Sequence, residues 1–224
     1  VITPFKLLGL LDEPKIQLAC ASKYTQFEHP NLMTGNNDIK ASKLPKIKLG
    51  YFSADFHNHA VSNLIAELFE LHNQSQFEVH IFSFAPSTND PLQKRIFAAT
   101  ENFHYIGNIS DVEVSHLSKK IGIDIAIDLM GYTTDYRADI FNLRSAPVQV
   151  SYLGYPSTMG TDFIDYLVAD KTVIRDDQRD YYKEKIVYLP NSYQINDRKR
   201  QISDITSSRH DFSLPDKSFV YCCF

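Results

Sequence analysis

From residue 46 onward, short apolar runs alternate with segments of helical periodicity. The apolar runs include "KIKLGYFS", "FEVHIFSF", "IDIAIDLM" and "VQVSYLG", and amphipathic stretches separate most of them. Strands that are apolar almost throughout are buried on both faces, which is typical of parallel sheets covered by helices. The pattern therefore predicts an α/β domain between about residues 46 and 190, built on a Rossmann-like, doubly wound parallel sheet.

The two ends of the chain have different sequence patterns. Residues 1–45 begin with leucines and alanines at helical spacing and continue into the polar stretch "EHPNLMTGNNDIKASKLP", which predicts short helices followed by a linker. Residues 191–218 include "NSYQINDRKRQISDITSSRHDF", which predicts a loosely packed interlobe connection, with the simpler alternative that Arg198–Arg200 are merely solvated. Residues 219–224, "FVYCCF", form a final strand-like run.

Composition excludes several classes of protein. The 224 residues, 43% of them hydrophobic, can bury the core of one large domain. A formal net charge of −4 with interspersed signs gives no basic surface for nucleic acid. No apolar run approaches the ~20 residues of a membrane span. Three cysteines, an odd number without metal-like spacing, favour a reducing compartment, and we expect a cytoplasmic protein.

The stretch "FSADFHNHAVSN" lies where the first predicted strand gives way to a helix. In doubly wound sheets, ligands bind at the carboxyl ends of the strands, where loops lead into helices. The turn at residues 53–59 should therefore place His57 and His59 at the crevice, with Ser62 or Asn63 capping the helix. The amides at the start of that helix would favour an anion or a developing negative charge.

Other interpretations of this stretch stay open. One histidine could cap the helix while the other is solvated. Together with Asp55 the pair could also supply metal ligands, although no other spacing in the chain supports a metal site. The eight glycines contain no G-x-G-x-x-G and no Walker A loop, so neither dinucleotide binding nor P-loop phosphate binding is encoded.

A second group of small and turn-forming residues follows two later predicted strands in "DLMGYTTDYRADIFNLRSAPVQVSYLGYPSTMGTDF". Small residues and turns at successive strand ends allow close approach of backbone to a polar ligand, so two such loops at one edge indicate a site. The residues concerned are Gly131, Tyr132, Thr133, Arg137, Leu153, Gly154, Tyr155, Pro156, Ser157, Thr158 and Gly160.

Long motifs carry a family resemblance. "GYFSADFHNHAVSNLIAELFELHN", "GIDIAIDLMGYT" and "LRSAPVQVSYLGYPSTMGTDFIDYLVAD" closely resemble the N-terminal catalytic lobe of the bacterial-type protein O-GlcNAc transferase family. Residues 4–24 are similar to the helical segment that joins a tetratricopeptide array to this lobe, and residues 219–224 resemble the first strand of a second, truncated lobe. The resemblance implies a GT-B glycosyltransferase that transfers N-acetylglucosamine from UDP-GlcNAc to Ser or Thr with inversion, without a metal or other cofactor.

The resemblance also implies roles for single residues at the histidine stretch. The family's Asn-His-Pro motif falls on Asn58 and His59, and its histidine is the expected catalytic base. Ala60 stands where many members have Pro, which loosens the turn but leaves the imidazole. His57 is usually another residue in relatives, and we expect it to be ancillary.

Further substrate contacts are implied elsewhere. His104 in "NFHYIG" matches a histidine that lines the family's cleft. Arg137 matches an arginine near the path of the acceptor peptide. Leu153, Gly154 and Pro156 match the loop that contacts the sugar and its acceptor.

Three functions remain open at this point. The chain could be the acceptor-facing part of a UDP-sugar:protein glycosyltransferase, inactive without its second lobe and unable to bind UDP tightly alone. It could be an isolated lobe that acts as a non-catalytic protein-binding module, or a relative that transfers a hexose to Asn. His59 and the intact "LGYPSTMG" loop favour the first, whose partners would be a protein or peptide acceptor and the C-terminal lobe.

Overall fold

The computed structural model describes residues 2–30 and 45–221. The strands are β1 (Ile47–Ser53), β2 (Phe77–Ser83), β3 (Asn102–Tyr105), β4 (Ile125–Asp128), β5 (Val148–Ser151), β6 (Tyr166–Ala169) and β7 (Lys185–Tyr188). The helices are α1 (Pro4–Leu8), α2 (Pro14–Glu28), α3 (Ala60–Leu71), α4 (Pro91–Ala98), α5 (Asp111–Ile121) and α6 (Asp139–Asn142), with 3₁₀ turns at Asp176–Tyr181 and His210–Phe212.

The strands form one seven-stranded sheet in the order β3-β2-β1-β4-β5-β6-β7. All six pairings are parallel. The chain builds the sheet outward from β1 in one direction through β3, then returns to the other side of β1 with β4. The predicted doubly wound parallel sheet is confirmed, and the point of reversal lies between β1 and β4.

Both faces of the sheet are buried, because successive residues of a strand point to opposite faces. Phe52 pairs with Phe82, and their rings stack 4.3 Å apart in one core cluster. Tyr51 pairs with Ile81, and both lie in the second cluster on the other face. Continuous apolar runs are therefore required on the inner strands, which is the pattern that the sequence shows.

Local signals set the helix ends. The Ser110 side chain accepts from the backbone N–H of Glu113, whose carboxylate accepts in return from Ser110, so a capping box begins α5. The same helix ends at Gly122, which adopts the left-handed φ of 80°. Asp90 caps α4 by accepting from the backbone N–H of Gln93 at 2.9 Å.

Helix α2 packs into the lobe. Ala21 is fully buried in the first core cluster, and the backbone of Gly160 lies so close that a Cβ there would come within 2.9 Å of the Ala21 Cβ. The sequence predicted a helix here but set residues 1–45 apart as a helical segment and linker. Residues 31–44 of that linker lie outside the described residues. The first core cluster thus draws on α2 as well as on the sheet.

The predicted loose connection after β7 is packed in its first part. Tyr193 and Ile195 pack against the second core cluster, and the Tyr152 hydroxyl donates to the Tyr193 carbonyl at 2.8 Å. From residue 200 to 213 the side chains are exposed, as the sequence predicted. We call residues 193–199 the strap. Phe219–Tyr221, predicted to open a strand, contain no strand, and Cys222–Phe224 lie outside the described residues.

Charged residues fasten the strap to α3 and α4, so Arg198 and Lys199, whose side chains are 74% and 61% exposed, are paired as well as solvated. The Arg95 guanidinium donates to Glu70 at 2.8 Å and to Asp197 at 3.0 Å. The backbone N–H of Arg198 donates to Glu67 at 2.9 Å, and its guanidinium pairs with the same carboxylate. The pKa of Asp197 is held below its usual range by the hydrogen bond from Arg95. The strap is therefore part of the lobe.

We expect Arg95→Met to lower the free energy of unfolding by about 1–3 kcal/mol, because the buried Asp197 carboxylate loses its charged donor. Trypsin should then cleave after Arg198 and Lys199 faster than in the unchanged protein. Urea unfolding and timed proteolysis measure the two effects. Arg175→Met is the control, since Arg175 pairs with the exposed Asp177 and its replacement should change neither quantity. Equal behaviour of the two variants would contradict a fastened strap.

No helix in residues 2–30 and 45–221 is both long and apolar enough to cross a membrane.

Candidate active site

Three loops meet at the carboxyl edge of the sheet, following the neighbouring strands β1, β4 and β5. The Met130 sulfur joins the first two loops, because it accepts from the Ser53 hydroxyl at 3.1 Å and from the Ala54 backbone N–H at 3.4 Å. The reversal of strand order lies between β1 and β4, and such a switch point is where doubly wound folds bind ligands. The histidine stretch and both glycine-containing loops thus share one crevice edge.

His59 is the N-cap of α3. Its Nδ1 lies 3.3 Å from the backbone N–H of Val61. The expected caps, Ser62 and Asn63, lie within the first turn because the helix begins one residue after His59. The Ser62 hydroxyl instead donates to the Asp55 carbonyl at 2.5 Å, which closes the turn before the helix. The histidine is thus fixed at the start of α3 while its side chain stays 43% exposed.

Asp55 also faces His59, with its Oδ2 3.4 Å from the same Nδ1. One nitrogen cannot accept from Val61 and donate to Asp55 at once, so the two contacts belong to different tautomers. When Nδ1 carries the proton toward Asp55, the Nε2 lone pair is available to take a proton. Burial raises the pKa of Asp55, and the two neighbouring histidines oppose that rise. The carboxylate can therefore select the base-competent tautomer.

His57 is peripheral to this pair. Its ring centroid lies 5.8 Å from that of His59, and its backbone N–H donates to the Asp55 carbonyl at 2.7 Å. Within the described ranges, no three His, Cys, Asp or Glu side chains are arranged to hold a metal ion. The metal interpretation of the histidine stretch gains no support from this geometry.

Asn58 connects the histidine stretch to the loop after β2. Its backbone N–H donates to Asp90 at 3.2 Å, and its side-chain oxygen accepts from Asn63 at 3.4 Å. Asp90 also caps α4, so one carboxylate holds the start of that helix against the candidate site. The Asn58 side chain is exposed, and its substrate contact stays a prediction.

The loops after β4 and β5 interlock. Leu153 adopts the left-handed φ of 67°, and Gly154 lies directly against the Leu129 carbonyl, where a Cβ would sit 1.8 Å from the oxygen. Gly131, with φ of 54°, packs onto Tyr155, where a Cβ would sit 2.2 Å from the Tyr155 Cβ. Only glycine allows both approaches. The two glycines thus bring the loops together, whereas close approach of their backbone to a polar ligand stays a prediction, and Pro156 is exposed at the edge.

Arg137 is committed to internal contacts. Its Nε donates to Asp111, and its Nη atoms donate to the Ile106 and Ile109 carbonyls, all at 2.7 Å. The guanidinium carbon also lies 5.4 Å from the centroid of the Phe84 ring. These contacts fasten the β3–α5 connection to the loop after β4. Contact with an acceptor peptide stays a prediction.

His104 belongs to a chain of hydrogen bonds across β2 and β3. His80 Nε2 lies 2.8 Å from Glu78, and its Nδ1 lies 3.1 Å from His104 Nε2. Because Nε2 of His80 must donate to the carboxylate, its Nδ1 accepts, and the proton between the rings belongs to His104. The His104 ring also stacks on Phe82 at 4.7 Å. Its predicted contact with substrate is not tested by this arrangement.

This histidine pair should make the fold sensitive to acid. Burial lowers the pKa of both His80 and His104. The unfolded chain therefore binds more protons below about pH 6.5, and their contribution to stability, complete above that pH, is lost as pH falls. We expect His80→Gln to flatten the dependence of unfolding free energy on pH between about 7 and 5. Urea titrations at several pH values measure it, with the exposed His116→Gln as control; equal slopes in all three proteins would contradict the prediction.

Sequence reasoning missed a buried carboxylate at the centre of the edge. Asp128 ends β4 and accepts from the backbone N–H groups of Met130 and Gly131 at 2.9 and 3.1 Å. Burial raises its pKa to about 6, against the opposing effect of these two donors. The available signal in the sequence was the position of Asp128 as the last residue of the apolar run "IDIAID", where a strand end was predicted. The carboxylate shapes the turn that carries Gly131 toward Tyr155.

His29 was also missed, because it falls in the segment predicted as helix and linker. Its Nδ1 lies 2.9 Å from Asp139 and its Nε2 lies 3.2 Å from the Tyr136 hydroxyl, while its ring stacks on Tyr132 at 6.2 Å. Both nitrogens are thus engaged with the described residues after β4. The contacts fasten the end of α2 to α6 and the loop before it.

Comparison with known proteins agrees with this architecture. The pattern of glycosyl transferase family 41 matches residues 15–208. A probable UDP-N-acetylglucosamine–peptide N-acetylglucosaminyltransferase of Arabidopsis thaliana is 31% identical over 100% of this chain and 24% of its own length. The enzyme of that name from Caenorhabditis elegans is 35% identical over 72% of this chain and 14% of its own.

A solved structure matches as well. The K341M mutant of the Thermobaculum terrenum O-GlcNAc transferase superposes with a TM-score of 0.78 at 26% identity, over 85% of this chain and 38% of that one. The chain therefore spans a minor part of the length of these relatives. The match over residues 15–208 confirms the resemblance: this chain belongs to glycosyl transferase family 41, and its parallel sheet is the Rossmann-like lobe of a GT-B glycosyltransferase.

Proposed function

We propose that this chain is the acceptor-facing part of an inverting UDP-GlcNAc:protein N-acetylglucosaminyltransferase that modifies Ser or Thr. The observation that carries the proposal is the Asp55–His59 pair at the switch point, on the same edge as the loop at residues 153–156. Two matched relatives are named UDP-N-acetylglucosamine–peptide N-acetylglucosaminyltransferases, one of them as probable, which supports the substrate class.

His59 would act as general base. A hydroxyl is a weak nucleophile, so a base that removes its proton in the transition state contributes roughly 10²–10⁴-fold. In the proposed step, Nε2 takes the proton of the acceptor hydroxyl, the oxygen forms a bond to the anomeric carbon, and the bond from that carbon to UDP breaks. Asp55 would hold Nδ1–H and stabilise the imidazolium that forms.

The remaining parts of the proposal concern the substrate contacts of this lobe, the second lobe and the protein as a whole. Asn58, His104, Arg137, Leu153, Gly154 and Pro156 would contact sugar or acceptor. The uridine and diphosphate contacts would belong to a C-terminal lobe, so residues 1–224 alone would be inactive and bind UDP weakly. We further propose a bacterial-type enzyme linked to tetratricopeptide repeats, acting in the cytoplasm on protein acceptors without a metal or other cofactor.

The decisive experiment is transfer of radiolabelled N-acetylglucosamine from UDP-GlcNAc to a Ser- or Thr-containing peptide by the enzyme in its full natural length. We expect label on the hydroxyl side chain, undiminished by EDTA, and none on a peptide with Ala in its place. Label from UDP-glucose on an Asn peptide would favour the hexose alternative. Peptide binding without transfer of any sugar would favour a binding module and refute the proposal.

A further inference from the structure

The backbone of Met159 is held at both of its polar groups. Its N–H donates to Glu184 Oε1 at 2.6 Å. Its carbonyl accepts from the Thr25 hydroxyl at 3.0 Å and from the Tyr132 hydroxyl at 3.1 Å. All four residues are buried. Three separate parts of the chain, α2, the loop after β4 and the residue before β7, thus converge on one peptide unit of the loop after β5.

Glu184 holds the preceding residue too. The Thr158 hydroxyl donates to Glu184 Oε2 at 2.6 Å and accepts from the backbone N–H groups of Gly160 at 3.0 Å and Lys183 at 3.2 Å. A carboxylate offers acceptors only, so each of its oxygens requires a donor. Here the two donors are adjacent in sequence, and the carboxylate fixes their relative positions.

This carboxylate is buried with no described cation beside it. Glu184 is 4% exposed, whereas the neighbouring Lys183 turns its ammonium to Asp162 at 3.2 Å. Burial raises the pKa of Glu184. Burying an unpaired carboxylate costs several kcal/mol, which the two hydrogen bonds offset only in part.

We infer that Glu184 is a positioning residue of the transferase. By holding Thr158 and Met159, it fixes the far end of the loop after β5. The near end of that loop is fixed by Gly154, which packs against Leu129. Residues 155–157 then form a bridge between two rigid anchors, with exposed Pro156 at the crevice edge. The inference rests on the proposed function, in which this loop contacts the sugar and its acceptor.

The test compares Glu184→Gln with the wild-type enzyme in its full natural length. Glutamine keeps the volume and one acceptor but turns the other acceptor into a donor that faces Thr158 or Met159. We expect kcat for peptide glycosylation to fall by about tenfold or more, with Kd for UDP within about twofold, since one loop anchor is lost and no nucleotide contact changes. Glu113→Gln on the surface of α5 is the control and should leave kcat unchanged.

Thr158→Val and Thr158→Ser keep the test decisive if Glu184→Gln folds poorly. The valine variant removes the hydroxyl and should lose turnover, whereas the serine variant retains it and should restore most of the activity. Wild-type kcat in folded Glu184→Gln or in Thr158→Val would overturn the inference while leaving the proposed function intact. An equal loss of kcat and UDP affinity would also overturn it, as general damage. Absence of transfer by the wild-type enzyme would overturn both.

Discussion

Replacing His59 with alanine should lower turnover of the full-length enzyme by about 10²–10⁴-fold, with nearly unchanged affinity for UDP. In the proposed mechanism the imidazole acts at the reacting hydroxyl, and the nucleotide contacts lie in the other lobe. Peptide glycosylation under saturating UDP-GlcNAc, together with calorimetric UDP binding, measures the two quantities.

The capping role of His59 requires a second variant. His59→Ala also removes the acceptor for the Val61 N–H, which costs about 1 kcal/mol of stability. His59→Asn keeps a good capping side chain but has no group that titrates near neutrality. We therefore expect asparagine to preserve the melting temperature and still lose turnover. Recovery of activity in His59→Asn would show that the histidine acts as a cap and not as a base.

The neighbouring residues supply further controls. His57→Ala should have a mild effect, since the hydrogen bond of His57 to Asp55 comes from its backbone N–H, which alanine keeps. Asp55→Asn should lower turnover less than His59→Ala, because it removes orientation and charge but leaves the base. Equal losses for His57→Ala and His59→Ala would contradict this assignment and point to a paired or metal-binding role.

Much of this site was predictable because its residues directly follow the ends of predicted strands. Apolar runs fix which segments are strands, and parallel strands bring their carboxyl ends to one edge, so His59, Gly131 and Gly154 were expected together. The resemblance to O-GlcNAc transferases added roles for single residues. Which tautomer His59 adopts was not predictable, since it depends on the distance to Asp55 and on where α3 begins.

Long-range polar contacts were beyond sequence reasoning. Arg95 and Asp197 are far apart in the chain, and Asp197 belongs to a stretch predicted as a loose connection, yet the two side chains meet at the surface of α4. Glu184 lies in the polar stretch "YYKEK" and carries no periodic signal of burial. Its partners, Thr158 and the Met159 N–H, lie in the loop after β5, and no local pattern places that loop beside it. The hydrophobic pattern of the sequence indicates which segments form the sheet and its covering helices, whereas polar contacts between distant residues depend on the assembled fold.

The largest loss of stability should follow from Gly154→Ala. A Cβ at this position would lie 1.8 Å from the Leu129 carbonyl oxygen and 2.7 Å from its carbon, and both are backbone atoms at the end of the buried β4. Neither can move without parting the loops after β4 and β5, so we expect a loss of about 3 kcal/mol or more in urea unfolding. Gly122→Ala is the matched control, because its φ of 80° strains alanine but nothing lies within 4 Å of the added Cβ. That variant should lose only about 1–2 kcal/mol. If Gly154→Ala is no more destabilised than Gly122→Ala, the loop can yield, and the rigid bridge between Gly154 and Met159 on which the proposed acceptor contact depends does not exist.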